Sequence, residues 1–241
     1  MNLKNKRILI TGATRGLGRE LANLLEKEGC FLILVDRDRV LFPNAQTYIC
    51  DLGDLPQRKR LMEEMRANAK IDILINCAGV GSHSQLDQLT VDEIEHIMQI
   101  NTLAPLELFV GLSPVELVVN IGSVAGEMSL PSMSLYAASK ASIHAFTRCI
   151  HLEGARSLLV ILGPLRGTDF AQSIAHPRTE QPGWYRRLDL PVETAARRII
   201  QAMQREQDQL IAPAWYQIIF LFAGIFYPLI RIFSKKYLKA V

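Results

Sequence analysis

The chain has 241 residues, 49% of them hydrophobic, with 27 Lys and Arg against 24 Asp and Glu, a formal net charge of +3. That length suits one α/β domain with a large core, and the lack of a long charge run speaks against disorder. So small and mixed a charge offers nucleic-acid phosphates no concentrated basic face.

Apolar runs of strand length alternate with helical patterns along the chain. Arg7–Thr11 reads as a buried strand, followed by a helix over Gly16–Gly29 with Leu17, Leu21, Leu24 and Leu25 at helical spacing. Phe31–Asp36 is a second strand, Thr47–Cys50 a short third, and a charged helix runs from about Asp54 to Ala69. Ile71–Asn76 is the fourth strand. Thr90 caps a helix reaching about Gly111, with Asp92 and Glu93 in its first turn. Glu116–Ile121 is the fifth strand, Ser134–Glu153 a long helix, Leu158–Leu162 the sixth strand. Val192–Gln204 is a further helix and Gln209–Ala212 a seventh strand. Leu165–Pro191 holds polar and turn residues and reads as a flexible stretch. Continuous apolar strands, each followed by a helix, predict a parallel sheet covered on both faces. The expected fold is therefore α/β: a Rossmann-type, doubly wound sheet in one domain over 1–212. A hydrophobic segment with a basic tail follows over 213–241.

Such sheets bind ligands beyond the C-terminal ends of their strands. Thr11-Gly12-Ala13-Thr14-Arg15-Gly16-Leu17-Gly18 joins the first strand to the first helix. Gly12 permits a tight turn, and Gly16 and Gly18 let a diphosphate reach backbone that a Cβ would block. The helix N-terminus adds oriented N–H groups and partial positive charge. Asp36, ending the second strand, can accept both ribose hydroxyls of NAD and would repel a 2′-phosphate. Arg15 and Arg37 argue the other way. The balance slightly favours NAD(H) over NADP(H). Asp51 is placed either to touch the adenine or to serve as a turn or N-cap residue. Asn76-Cys77-Ala78-Gly79 closes the fourth strand with small residues that allow close approach to a cofactor.

Tyr136-Ala-Ala-Ser-Lys140 puts a phenol and an ammonium on one helix face. A cation roughly 5 Å away at an effective dielectric near 20 favours a phenolate by about 3 kcal/mol. Lys140 is thus expected to bring Tyr136 down towards working pH by about two units from its ordinary value near 10. Ser123, just past the fifth strand, could hold a substrate oxygen while Tyr136 exchanges the proton. Asn101, flanked by Ile100 and Leu103, needs a partner if buried.

Together these residues resemble the short-chain dehydrogenase/reductase family over about residues 5–212. The chain shows TGxxxGxG, an NxAG variant of NNAG, a downstream Asn, a Ser, and YxxxK thirteen residues after that Ser. The run NIGSVAG…YAASKASIHAFT is most similar to 3-oxoacyl-acyl-carrier-protein reductase-like members. The resemblance implies that Tyr136 is the general acid/base and that Lys140 lowers its pKa and binds the nicotinamide ribose. It implies that Ser123 positions the reacting oxygen and Asn101 holds a water that relays protons. Gly12, Thr14, Arg15, Gly16, Leu17 and Gly18 would meet the diphosphate side. Asp36, Arg37, Asp51, Leu52, Asn76, Ala78 and Gly79 would line the adenosine side, and Thr168 would contact the carboxamide. A homodimer or homotetramer is implied, with Ile143, Phe146 and Ile150 either at an interface or in the core. Two departures fall on the nicotinamide lid and substrate loop. The usual Pro-Gly appears as Leu162-Gly163-Pro164, and Thr168 falls one residue late. The implied activity interconverts a small-molecule carbonyl and alcohol. The alternative is a non-catalytic NAD(P)-binding regulatory module on the same fold.

Cys30, Cys50, Cys77 and Cys149 form neither a CxxC pair nor a metal-ligand spacing. Three lie in or beside apolar runs, as small buried hydrophobes of a reducing compartment do. No secretory apolar region precedes the first strand, so the cytoplasm is the expected location. Ala214–Ile230 complicates that expectation. Gln217 is its only polar residue, Pro228 would interrupt a helix, and Arg231, Lys235, Lys236 and Lys239 follow. About 17 helical residues span roughly 26 Å, a little short of a hydrocarbon core of roughly 30 Å. Three readings stay open: a monotopic contact at the cytoplasmic face of a membrane, cover for the pocket or a subunit interface, and a span. A membrane contact would suit an apolar or lipid-like substrate. The aromatics Phe170, Trp184 and Tyr185 are candidate pocket residues, or plain core.

Overall fold

The computed structural model describes residues 1–68, 70–84, 86–112, 116–128, 132–168, 170, 174–175 and 189–221. In chain order the main elements are β1 (Arg7–Thr11), α1 (Gly16–Lys27), β2 (Phe31–Asp36), β3 (Ala45–Ile49), α2 (Leu55–Asn68) and β4 (Ile73–Asn76). Then come α3 (Val91–Met98), α4 (Ala104–Leu112), β5 (Leu117–Ser123), α5 (Ser134–Leu152), β6 (Ser157–Leu162), α6 (Val192–Gln204), β7 (Gln209–Ala212) and α7 (Tyr216–Leu221). A π-helical turn, Gln99–Leu103, joins α3 to α4.

The seven strands form one sheet in the order β7-β6-β5-β4-β1-β2-β3, every pair parallel. The order reverses at β1, so a crevice opens between the C-terminal ends of β1 and β4. Alternation along the strands makes two cores. Ile8, Ile10, Ile73, Ile75 and Val119 point to the side covered by α1 and α6, where Leu21, Leu25, Ile199 and Met203 meet them. Leu9, Leu74, Ile33 and Val118 point to the other side, against Leu61, Met65, Leu108 and Ile150 of α2, α4 and α5. Both faces are dry, which is why these strands are apolar throughout instead of alternating.

The predicted elements are present with small shifts. The third strand begins two residues earlier and ends one residue earlier than the pattern suggested, because its pairing with β2 runs Leu32↔Ala45 to Asp36↔Ile49. As an edge strand it exposes Gln46, Thr47 and Ile49, so hydrophobicity is a poor guide to its limits. Thr90 caps α3 by accepting the Glu93 N–H at 3.2 Å, as expected. Ile143 and Ile150 are buried within the single chain, which makes them core. Phe146 is half-buried, edge-on to Phe109 at 5.7 Å. Cys50 is buried and Cys30 and Cys77 are half-buried, whereas Cys149 is exposed. Trp184, Tyr185 and residues 222–230 lie outside the described residues. Among the described residues no helix is long and apolar enough to cross a membrane.

Arg58 on α2 is fully buried and ties three segments together. Its guanidinium donates to Glu107 Oε2 on α4 (2.8 Å), Gln99 Oε1 in the π-helical turn (2.7 Å) and the Leu52 carbonyl (2.5 Å). Removing one partner of a fully buried pair costs roughly 3–5 kcal/mol. Glu107 keeps about a third of its surface in water, so Arg58→Ala is expected to lose about 2–3 kcal/mol. A lowered urea midpoint at unchanged slope would show it. A midpoint equal to wild type would refute the role.

Candidate active site

Thr11, Asp36, Asn76 and Ser123 all lie at the C-terminal ends of their strands, on one edge of the sheet. Around the glycine turn, Gly12 and Gly16 have positive φ, +72° and +55°. Contact keeps Gly12 and Gly18 free of side chains. A Cβ on Gly12 would stand 2.8 Å from Ala78 Cα, and one on Gly18 would stand 2.1 Å from the Gly12 carbonyl. Thr11 Oγ1 accepts the N–H groups of Cys77 and Ala78 at 3.0 and 3.1 Å, pinning the end of β4 to β1. Arg15 at the N-cap of α1 offers no side-chain cap, and no acidic residue occupies the first turn. An uncapped helix N-terminus behind glycine backbone is an anion seat, so the residues fit a dinucleotide diphosphate.

Asp36 sits beside this turn. Its carboxylate accepts the Thr14 N–H at 2.9 Å and the Thr14 hydroxyl, while its other oxygen takes the Asp38 N–H at 3.3 Å. Arg15 and Arg37 are exposed, and Arg37 lies 3.8 Å from Asp38. Asp51 makes the turn bond of one of its two readings: Oδ1 accepts the Gly53 N–H at 2.8 Å. Leu52 is buried next to it. Thr168 lies over the glycine turn, its side chain 3.5 Å from where a Gly16 Cβ would be. That is the diphosphate end of the cleft.

Asn76 donates to Asn120 Oδ1 on β5 (2.8 Å), and Asn120 donates to Thr147 Oγ1 on α5 (2.9 Å). The Asn76 Oδ1 atom is buried with no hydrogen-bond partner. A buried, unsatisfied carbonyl at the mouth of such a crevice is what a bound donor would complete.

Tyr136 and Lys140 share a face of α5, and both are buried. The Lys140 ammonium lies 5.9 Å from the centre of the Tyr136 ring and donates to the Ile121 carbonyl at 3.0 Å. Gly79 faces them: a Cβ there would stand 3.4 Å from Lys140 Nζ and 3.3 Å from Asn101 Oδ1. Phe170 packs 5.9 Å from the Tyr136 ring.

The electrostatics correct the expectation that Lys140 depresses the tyrosine. Burial pushes the Tyr136 phenol up to about 12, and a hydrogen bond with Ser123 only partly opposes it. Burial also pulls the Lys140 ammonium down to about 8. Desolvation outweighs attraction because the cation stands over the ring and is spent on a backbone carbonyl. At neutral pH Tyr136 is therefore a protonated phenol.

Asn101 lies in the π-helical turn, where Ala104 N–H reaches the Gln99 carbonyl. Its side chain is fully engaged. Oδ1 accepts the Val80 N–H at 2.9 Å, and Nδ2 donates to the Val80 carbonyl at 2.8 Å and to Ser139 Oγ at 3.0 Å. It is the partner-seeking residue that sequence reasoning anticipated, and it locks the loop after β4 to α5. Sequence reasoning missed Ser139 and His144. The spacing could have flagged His144, which follows Lys140 by four residues on the same face.

A family model for short chain dehydrogenases matches residues 6–178. An uncharacterized oxidoreductase of Saccharomyces cerevisiae is 27% identical, over 93% of this chain and 79% of its own length. A fatty acyl-CoA reductase of Acinetobacter baylyi is 29% identical over 63% of this chain, which spans 58% of that relative's length. A short-chain dehydrogenase of Sphingobium yanoikuyae, solved with NADPH, superposes at a TM-score of 0.76 with 25% identity, covering 91% of this chain and 94% of its own. Other matched structures hold NAD or NADP.

The lysine predicts a measurable pH effect. Its folded value of about 8 lies below the ordinary 10.5, so between these values the unfolded chain binds more protons and stability rises with pH. Wild type should gain unfolding free energy relative to Lys140→Met between about pH 8 and about pH 10.5. Paired urea titrations across this window would reveal the gain, and a constant difference would contradict the assignment.

Proposed function

The chain belongs to the short-chain dehydrogenase family, and from that premise we propose that it interconverts a carbonyl and an alcohol with Tyr136 as the acid/base. It is an oxidoreductase that uses NAD(H) or NADP(H). The bound nicotinamide supplies or takes the hydride. The chain's own residues handle the rest.

The observation that carries this reading is the burial of Tyr136 and Lys140 on one face of α5, the helix packed against the end of the strand that carries Ser123. A protonated phenol is ready to donate to a carbonyl oxygen that gains negative charge. Ser123 holds the same oxygen by hydrogen bond. Lys140 holds a ribose hydroxyl. Asn101, Asn76, Gly79 and the glycine turn hold the cofactor cleft in shape, with Asp36 on the adenosine ribose, which favours NAD(H). Thr168 meets the cofactor from above the turn. A positioned acid of this kind contributes roughly 10²–10⁴-fold to rate.

The substrate in this reading is apolar or lipid-like. Phe170 beside Tyr136 supports it, as do the exposed Ile218 and Leu221 of α7 at the start of the apolar C-terminal run. The likeness to a fatty acyl-CoA reductase points the same way. Exposed apolar residues leading into a basic tail suit contact with an anionic lipid surface.

Two outcomes are expected. With ketones and long-chain carbonyls run against NADH and NADPH in parallel, Tyr136→Phe should lose at least about a hundredfold in kcat while binding cofactor as wild type does. A variant that turns over at the wild-type rate would sink the mechanism. The full chain should sediment with anionic vesicles, and a chain ending at residue 213 should stay in the supernatant. Equal sedimentation of the two would rule out this contact.

A further inference from the structure

His144 lies on α5 one turn beyond Lys140 and two beyond Tyr136, and it is 1% exposed. Its ring fills a slot between two glycines that flank Ser123. A Cβ on Gly122 would stand 2.2 Å from His144 Nε2, and one on Gly126 would stand 2.6 Å from His144 Cε1. No other residue at those two positions would leave room for the imidazole.

The two ring nitrogens have different partners. Nε2 lies 3.3 Å from the backbone nitrogen of Ser123 and accepts its N–H. Nδ1 lies 2.9 Å from Glu127 Oε1, a carboxylate also held by Arg148. An amide N–H cannot accept, so Nε2 must be the bare nitrogen and the single proton must sit on Nδ1, facing the carboxylate. The charged groups facing the ring are Glu127, which favours the imidazolium, and Arg148 and Lys140, which oppose it together with burial. Burial acts most strongly and pulls His144 below its ordinary range. The Glu127 carboxyl is held below its ordinary range, chiefly by the hydrogen bond from His144.

Ser123 has few other anchors beyond its strand. Its hydroxyl accepts the Ala125 N–H at 3.2 Å. We propose that His144 is a positioning residue for Ser123. Neutral and held in one tautomer by Glu127, it grips the serine's backbone N–H and sets where the hydroxyl stands relative to Tyr136. This deepens the dehydrogenase reading and rests on it, since Ser123 matters only if it holds a reacting oxygen.

The test has two arms on the full chain. In the first, long-range ¹H–¹⁵N spectra of protein labelled in histidine, with His144→Gln to assign the signal, should show a neutral ring protonated at Nδ1 near neutral pH. This arm needs no substrate, so it decides the hydrogen bond even if Tyr136→Phe sinks the dehydrogenase reading. A ring protonated at Nε2, or at both nitrogens, would overturn the proposal. In the second arm, the best carbonyl substrate of the panel is used. His144→Leu, which keeps bulk but cannot accept, should lose roughly ten- to a hundredfold in kcat with KM for the cofactor unchanged. His144→Gln, whose amide can accept from Ser123 and donate to Glu127, should recover most of that loss. If Leu and Gln act alike, or if His144→Leu keeps the wild-type kcat, the ring is only a filler and the proposal fails.

Discussion

Helix α5 packs directly against the end of β5, and the rest of the site depends on that closeness. Gly122 and Gly126 make it possible. A Cβ on Gly126 would press to 2.9 Å from the Lys140 backbone, so any side chain there would push the helix away. Because the two elements touch, polar groups of the helix reach the strand directly. Lys140 reaches the Ile121 carbonyl, Thr147 receives Asn120, and His144 receives the Ser123 N–H. A helix standing an ångström or two further out would lose all three, and Tyr136 would lose Ser123.

Burial at this contact also sets the chemistry. Water is excluded from the phenol and the ammonium alike, and desolvation raises one pKa while lowering the other. The result is a proton donor beside a cation whose charge is easily lost. That arrangement suits transfer of a proton to an oxygen gaining negative charge. It also explains why the lysine is bonded to a backbone carbonyl: a buried ammonium needs an acceptor.

Two further networks hold the surroundings rigid. Asn101 clamps the Val80 backbone from within a π-helical turn, a rare local geometry often found at functional sites. Arg58 holds that same turn through Gln99 and, on its other side, the Leu52 carbonyl at the end of the Asp51 turn. The Asp51 turn and the π-helical turn that carries Asn101 are thereby joined through one buried guanidinium. A charge buried this deeply persists because each of its three nitrogens finds an acceptor.

Much was legible in the sequence because it depended on local order. Apolar runs dictated strands, helical spacing dictated helices, and glycines after the first strand dictated a tight turn into α1. Tyr136 and Lys140 share a face by helix geometry alone. The length of β3 was less legible, since an edge strand exposes its side chains and carries no clear pattern. The bond of Asp51 to the Gly53 N–H could not be told from the sequence alone. The direction of the tyrosine's shift could not be read from spacing, because it turns on how much water the fold removes and on what else the ammonium bonds. His144 and Arg58 look like ordinary helix residues in sequence. Only the tertiary structure brings Glu127, Gly122 and Gly126 around the first, and Leu52, Gln99 and Glu107 around the second, because long-range packing, not neighbouring sequence, decides which buried polar groups meet.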